Sequence, residues 1–169
     1  MLRYLSMSTP SPNESFLPAD DPHALDRTAA LRLLIVMTRA LRAVTEPSRQ
    51  HLRRWDLSPT EFGVLEALYH KGSLPLSSLA ELVLITGASM TYAVKQLEQR
   101  GFVRRRPSAE DQRVVFGELT DTGRALIAKV FPEHTEQIRQ GMRGLSRQEK
   151  RQVAELLKKL GVGARAEIE

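Results

Sequence analysis

The strongest constraint on the fold lies between residues 57 and 119, where the apolar period is first helical and changes to extended at Gly101. Apolar residues at helical spacing predict a short helix over about 76–83 and a second over about 87–100, joined by a tight turn. Two extended segments with a polar connection follow directly and indicate a β-hairpin. Two short helices and a hairpin in this order predict a winged helix-turn-helix.

The helix that precedes this pair has an unusually complete start signal. Ser58 is a natural N-cap, Pro59 fits the first helical position, and Glu61 closes a capping box. Leu57 and Phe62 occupy the two positions of a hydrophobic staple. These residues predict where the helix begins to within one residue.

Longer helical patterns flank this region. We expect Pro47 to end or kink the first helix, which starts near residue 23, and a short further helix can form over 48–54. A long helix is expected to follow Thr120 and to be interrupted or bent near Pro132, and a last helix is expected to stop at Gly161.

The predicted fold class is mainly α with a small β-hairpin wing, and the predicted organisation has five parts. Residues 1–22 carry four prolines and no apolar periodicity, so we expect a disordered tail. The winged helix-turn-helix region spans 55–120, the helices of 23–54 and 121–162 form a second region, and 163–169 is a short tail.

Composition excludes several classes of function. Lys and Arg number 25 against 20 Asp and Glu, a net charge of +5 that permits a polyanionic partner without proving one. Cysteine is absent and the four histidines are scattered, so no metal or cofactor is expected. Enzyme motifs such as a phosphate-binding loop are missing, and no enzyme is expected. Since no apolar run approaches the ~20 residues of a membrane span, we expect a soluble, cytoplasmic protein.

The helix over 87–100 is the candidate recognition helix, because small and hydroxyl residues near its start suit the reading of base edges in the major groove. The predicted DNA contacts of this segment are Thr86, Ser89, Thr91, Tyr92 and Lys95. The alternative is an ordinary amphipathic helix with a polar outer face. The short helix before it and the hairpin after it favour DNA reading.

The hairpin supplies further candidates. Alternation along the strand places Arg104 and Arg106 on one face and Arg105 on the other; one of these faces is expected to neutralise phosphates, and Arg105 is counted among the predicted contacts. At the tip, Arg113 is suited to the minor groove, with Asp111 fixing its approach. The alternatives are a solvated strand edge and a plain turn aspartate beside a solvated arginine.

Together these residues resemble the multiple-antibiotic-resistance regulator (MarR) family of winged-helix transcription factors. The likeness extends over about residues 25–160. The segments that carry it are 57–68, 79–81, 89–91, 96–103, 110–114 and 119–124.

The resemblance implies a homodimer in which the first and last helices of two protomers interlock, so that 23–54 and 121–162 form the dimerisation region and two wings grip a palindromic operator. It also implies that Arg113 enters the minor groove with the support of Asp111, and that Ser77 and Ser78 contact backbone phosphate. Gln112 replaces a basic residue that is common in the family, which removes one expected phosphate contact.

Many relatives release DNA when a small aromatic molecule binds. Segments 68–72 and 131–134 are similar to the quinone- and hydroquinone-responsive subgroup, which implies a repressor with a phenolic or quinone-like effector. The candidate lining residues are His51, Trp55, Phe62 and Tyr69. For Phe62 and Trp55 a role in the core is the alternative. The alternative function is a winged-helix protein-interaction or architectural DNA-binding module without an effector.

Overall fold

The structure is a computed structural model that describes residues 23–166; the predicted tail over 1–22 and the last three residues lie outside the described residues. Most of the described chain is helical. In chain order the elements are α1 (Ala24–Arg53), α2 (Pro59–Lys71), β1 (Leu74–Pro75), α3 (Leu76–Val83), α4 (Gly87–Gln99), β2 (Val103–Pro107), β3 (Val115–Leu119), α5 (Asp121–Gly141) and α6 (Arg147–Ala166).

Of the two outcomes predicted at Pro47, an end of the helix is wrong, because α1 continues through this proline to Arg53, and 48–53 is not a separate helix. Proline removes one backbone hydrogen bond in a helix interior. The turn that follows is held by burial, since Ser48, His51 and Leu52 are all buried. The chain divides into two compact units whose boundary lies inside α1, between residues 42 and 43.

Helices α2 and α4 begin where the sequence predicts. The Ser58 hydroxyl accepts the backbone N–H of Glu61, and the Glu61 carboxylate accepts that of Ser58, which completes the capping box of α2. Thr86 caps α4 by accepting the backbone N–H of Ser89. Between α3 and α4, Leu84 takes the left-handed conformation with φ 58°, which makes the turn of the helix pair tight.

The wing has three antiparallel strands in the order β1-β3-β2, one more than the predicted hairpin. In the added pair, Leu74 lies opposite Gly117 and Pro75 opposite Phe116. Sequence periodicity misses β1 because it is only two residues long and contains a proline, which is tolerated on an edge strand.

Helices α1 to α5 and the wing share one apolar core. Its most completely buried large side chains come from five helices and one strand: Leu52, Val64, Leu65, Leu68, Leu79, Met90, Val94, Leu97, Val103, Ile127 and Val130. Because α4 gives three of these residues to the core, only its opposite face is exposed.

Helices α5 and α6 both continue where the sequence predicts an interruption or an end. Helix α5 includes Pro132, and α6 passes through Gly161 to Ala166, so 163–166 is helical instead of belonging to a tail. Among the described glycines only Gly72 and Gly101 have positive φ, so Gly161 does not form a left-handed helix cap.

No single helix among the described residues is long and apolar enough to cross a membrane. Helices α3 and α4 taken together pass a test of length and composition alone, but they are bent by 106°.

Candidate nucleic-acid interface

The outer face of α4 presents the predicted recognition residues. Ser89, Thr91, Tyr92 and Lys95 are all exposed, and Tyr92 has 67% of its surface accessible. The opposite face of the helix is fixed in the core. Hydroxyl, phenol and ammonium groups are therefore displayed from a rigid element, as a helix that reads a DNA groove requires.

Local hydrogen bonds order the hydroxyls at the start of α4. The Thr86 hydroxyl, besides capping the helix, donates to Oγ of Ser89 at 3.0 Å. The Thr91 hydroxyl donates to the carbonyl of Gly87 at 2.9 Å. In the first turn of α3, Ser77 is exposed and Ser78 is half-buried, on the element that precedes the turn.

The wing tip is a compact turn with an exposed arginine. Asp111 accepts the backbone N–H of Arg113 at 2.9 Å through Oδ1, so this carboxylate binds the tip's own amide. The hydroxyl of Ser108 accepts the N–H groups of Glu110 and Asp111 at 3.2 and 3.4 Å. The side chains of Asp111 and Arg113 both lie on the surface. These bonds hold the backbone beneath Arg113 and leave its side chain outside.

The arginines of β2 all have acidic partners in the structure. Arg105 donates from Nε to Glu98 at 2.7 Å, and its Nη2 lies 2.6 Å from the same carboxylate oxygen. Arg104 and Arg106 each donate from Nε to Glu118 at 2.9 Å. Two acids on two elements thus pair with three arginines, and no pattern in the sequence predicts this pairing.

These contacts lower the pKa values of both acids. Hydrogen bonding from Arg105 lowers the pKa of Glu98 below its usual range. Hydrogen bonding from Arg106, and then from Arg104, lowers the pKa of Glu118 in the same way. Both carboxylates are therefore ionised at neutral pH.

Arg100 ties the end of α4 to the junction of α1 and α2. Its guanidinium donates to the carbonyl of Asp56 at 2.7 Å and to that of Trp55 at 3.5 Å. It also lies 3.5 Å from the Glu61 carboxylate and 5.0 Å from the centre of the Phe102 ring. Because Asp56 lies 44 residues before Arg100 in the chain, no local pattern predicts this contact.

A cleft of about 540 Å³ lies behind the recognition helix pair, between the end of α1, one face of α2, the end of α3 and the second half of α5. Its lining residues are Thr45, Ser48, Arg49, Leu52, Pro59, Phe62, Gly63, Glu66, Ala67, His70, Lys71, Leu82, Val83, His134 and Ile138. This volume is within the usual range for small-molecule sites, about 300–1,000 Å³.

An aromatic and polar cluster forms one wall of the cleft. The Phe62 and His134 rings have centroids 4.1 Å apart, tilted by 32°. Oγ of Ser48 lies 3.0 Å from Nδ1 of His134. Behind them His51 is buried, and its Nε2 has no hydrogen-bond partner among the described residues, the carboxylate of Glu133 being 3.6 Å away. Burial, and then repulsion from His51, lowers the pKa of His134.

Of the four predicted effector residues, the structure brings only Phe62 to this cleft. Trp55 is packed against the core, and Tyr69 lines a separate depression with Arg124. Glu66, His70 and His134 also line the cleft, although they were not among the predicted effector residues. A signal was present, because the α2 residues of the cleft recur every three or four positions, at 59, 62, 63, 66, 67, 70 and 71. Within the described residues, no three His, Asp or Glu side chains form a metal site.

The second helix of the tight pair has an exposed polar face, and the wing beside it carries an arginine at its tip. This arrangement defines a winged helix-turn-helix DNA-binding protein. Comparison with known proteins makes the assignment more specific. The family model "MarR family" matches residues 57–115. The HTH-type transcriptional regulator MhqR of Bacillus subtilis is 38% identical over 136 residues, which cover 80% of this chain and 94% of MhqR. The chain belongs to the MarR family and is a DNA-binding transcriptional regulator, not an enzyme.

Solved structures agree with this assignment. BpsR of Bordetella bronchiseptica, whose DNA binding is described as regulated by 6-hydroxynicotinic acid, is 28% identical with a TM-score of 0.68 over 75% of this chain and 90% of its own. The MarR family regulator Sco3205 of Streptomyces coelicolor, solved in complex with DNA, has a TM-score of 0.73 at 24% identity over 82% of this chain and 88% of its own. The mainly helical fold with its wing is thereby confirmed.

Proposed function

We propose that this regulator is a cytoplasmic homodimer that represses transcription from a palindromic operator and is released by a small phenolic or quinone-like effector. The observation that carries the proposal is the exposed face of α4 next to the arginine of the wing tip. A hydroxyl-rich helix surface suits base edges, and a single exposed guanidinium suits the narrow minor groove.

The DNA-reading part is tested by selecting binding sites from a random duplex library. We expect two half-sites about one helical turn apart, ~10 bp, related by a two-fold axis. Arg113→Ala should raise Kd for the selected operator by a factor between about 5 and about 150, for a loss of about 1–3 kcal/mol. Lys95→Ala should weaken operator and unrelated DNA to a similar degree. If both variants bind like the parent protein, this interface is not the one used.

The homodimer is supported by two apolar stripes that are exposed in a single chain. In α1 the exposed apolar residues include Leu31, Leu33, Leu34, Ile35, Val36 and Leu41. In α6 they include Val153, Leu156, Leu157, Leu160 and Val162. Contiguous apolar surface of this kind marks an interface in a protein that functions in water.

The effector part rests on the chemistry of the cleft. Leu82, Val83 and Ile138 in the lining give apolar contacts for an aromatic molecule, and the Glu66 carboxylate accepts a hydrogen bond from a phenolic hydroxyl. Ser48 and His134 offer a further hydroxyl and a ring nitrogen on the neighbouring elements. The similar BpsR responds to 6-hydroxynicotinic acid, a small hydroxylated aromatic, which supports this class of ligand.

A panel of hydroquinones, catechols and hydroxybenzoates tests this part. A ligand of the folded protein should raise the melting temperature with increasing concentration and release the operator. Glu66→Gln should lose this response while keeping operator affinity. Tyr69→Phe, in the separate depression, is the matched control and should respond like the parent protein. A loss of response in the Tyr69 variant alone would move the effector site to that depression.

The alternative function, a protein-interaction or architectural module without an effector, predicts different results. It requires that no compound of the panel shifts the melting temperature. An architectural protein would also show no preferred sequence in the selection, and a protein-interaction module would bind no DNA.

A further inference from the structure

We propose that Arg104 and Arg106, oriented by Glu118, form a binding site for the phosphodiester backbone of DNA on the outer face of the wing, and that Arg105 on the opposite face does not contact phosphate. This inference rests on the DNA binding proposed above, because it assigns the backbone contacts of that same complex. It also replaces Arg105 as the predicted phosphate contact of the strand.

The three arginines of β2 differ in how they are paired with acids. Glu98 accepts hydrogen bonds from the Arg105 side chain and, at 3.3 Å, from the Arg105 backbone N–H. One negative charge is thus paired with one positive charge. Glu118 faces two guanidinium groups at once. Because one carboxylate neutralises one positive charge, the Arg104, Arg106 and Glu118 group has a net charge of +1. The group is therefore complementary to a phosphate.

The two hydrogen bonds to Glu118 involve only one nitrogen of each guanidinium group. Both arginines donate from Nε, so their terminal amino groups are not used by these bonds. Terminal guanidinium nitrogens bind phosphate oxygens in a bidentate fork. The Glu118 side chain is 15% exposed beneath arginines that are 70% and 59% exposed. An acid held at this depth orients the two groups and leaves their outer ends in solvent.

Glu118 is itself held in place. Ser73, in the turn before β1, donates its hydroxyl to Glu118 at 3.2 Å, and Arg104 lies directly opposite Glu118 in the β2–β3 pairing. The Arg106 guanidinium lies 5.9 Å from the centre of the Phe116 ring, which supports it from the next strand. Strands β2 and β3 and the turn before β1 thus contribute to the site.

Arg104 and Arg106 lie on the strand that leads into the tip of the wing. The register pairs Arg106 with Phe116, one step before the last pair of the ladder, and the chain then enters the tip that carries Arg113. Residues two apart on a strand are separated by about 6.7 Å. If Arg113 enters a minor groove, the backbone that borders this groove passes within reach of the arginine pair.

The salt dependence of binding tests the proposal, with a duplex of arbitrary sequence about two helical turns long. Each lost phosphate contact lowers the slope of log K against log salt by about 0.9, and by about 1.8 in a homodimer. We expect this loss for Arg104→Gln and again for Arg106→Gln. The charge-neutral double variant Arg105→Gln with Glu98→Gln is the matched control from the same strand and should keep the parent slope. Unchanged circular dichroism and melting temperature verify folding.

The outcomes separate this inference from the proposed function. Equal slopes for the parent, Arg104→Gln and Arg106→Gln would overturn the phosphate site while leaving operator reading through α4 and Arg113 intact. A lower slope in the Arg105 and Glu98 double variant alone would place the contact on the opposite face and overturn it as well. Absence of any DNA binding by the parent protein would overturn the proposed function, and this inference with it.

Discussion

Single residues hold the winged region together where its elements meet backbone to backbone. Thr120 caps α5 by accepting the N–H of Gly123, and its own hydroxyl donates to the carbonyl of Gly101 at 2.6 Å. Its backbone N–H also donates to the carbonyl of Phe102 at 3.1 Å. The first turn of α5 therefore rests directly on the chain between α4 and the wing, with no room for a side chain at Gly123.

The first prediction concerns this contact. A Cβ at Gly123 would overlap the carbonyl oxygen of Phe102, and backbone cannot move aside as a flexible side chain can. Gly123→Ala should lower the free energy of unfolding by about 3 kcal/mol, measured by urea denaturation. Gly161→Ala, another helical glycine with open space around its Cβ position, is the control and should leave stability unchanged or raise it by up to about 1 kcal/mol. Equal effects at the two sites would contradict the close approach.

The second prediction concerns pH and follows from the lowered pKa of His134. In the unfolded chain this residue takes up a proton near the usual histidine pKa of about 6.5, whereas in the folded protein it does so only at lower pH. Acid therefore favours the unfolded state, and stability is lost as pH falls from about 6.5 toward the folded pKa. Above this window His134 is neutral in both states and has no effect.

Urea denaturation at about pH 7.5 and about pH 5.5 measures this effect. His134→Gln should reduce the loss of stability between the two values. His70→Gln, which removes an exposed histidine on the other side of the cleft, should leave the loss as in the parent protein. A loss that does not depend on His134 would rule out its burial as the cause.

At the level of elements, the orientation of the recognition helix depends on contacts at both of its ends. Thr86 orders its first turn, and Arg100 joins its last turn to the junction of α1 and α2. Asp56 in this junction has φ 52°, a left-handed conformation that brings its carbonyl to Arg100. Because the same junction borders the cleft through Leu52 and Pro59, α4 and the cleft share a structural neighbour.

The third prediction is that Arg100→Ala loosens this connection. The substitution removes a hydrogen bond of 2.7 Å and three longer contacts at a side chain that is only 27% exposed, so we expect a loss of about 2 kcal/mol in stability. Operator affinity should fall as well, since the helix is less firmly oriented. Arg54→Ala, an exposed arginine at the same junction, should change stability by less than about 0.5 kcal/mol. A stability loss for Arg54 that matches the one for Arg100 would show that charge alone is responsible.

At the level of the whole molecule, a single chain leaves much apolar surface in water. The core is confined to the winged region and the adjoining helices, whereas α6 has an apolar stripe on its surface, with Leu156 66% exposed. Two winged regions in one particle would also place two copies of α4 on neighbouring turns of DNA. The proposed homodimer accounts for the stripe and predicts a two-fold operator.

The fourth prediction is that light scattering at micromolar concentration gives twice the mass of the chain. Leu156→Asp should shift the protein toward the monomer, because a charge in the interface remains unpaired. Leu84→Asp is the control: this leucine is 81% exposed on the turn between α3 and α4, where an aspartate fits the left-handed conformation, and the dimer should persist. A parent protein that is monomeric at this concentration would exclude the proposed assembly.

The sequence by itself determined the kind and order of the elements except the two-residue strand β1 and the short helix expected over 48–54, which is part of α1. The capping box at Ser58 and the cap at Thr86 act within a few residues, so they can be identified in the chain before it folds. The change of period at Gly101 likewise marks the wing without tertiary information. Helix ends were less certain at Pro47 and Gly161, because burial after the proline and the absence of a left-handed cap at the glycine decided them.

Only the tertiary structure decided which partners the functional side chains have. Glu98 precedes Arg105 by seven residues, and Glu118 follows Arg104 by fourteen. No local pattern therefore shows that Arg105 has an acid of its own while the other two arginines of β2 share one. The cleft likewise joins residues from 45 to 138 on four helices. Periodicity reports how each element is buried, but charge pairing and cavity shape arise only where elements distant in the chain come into contact.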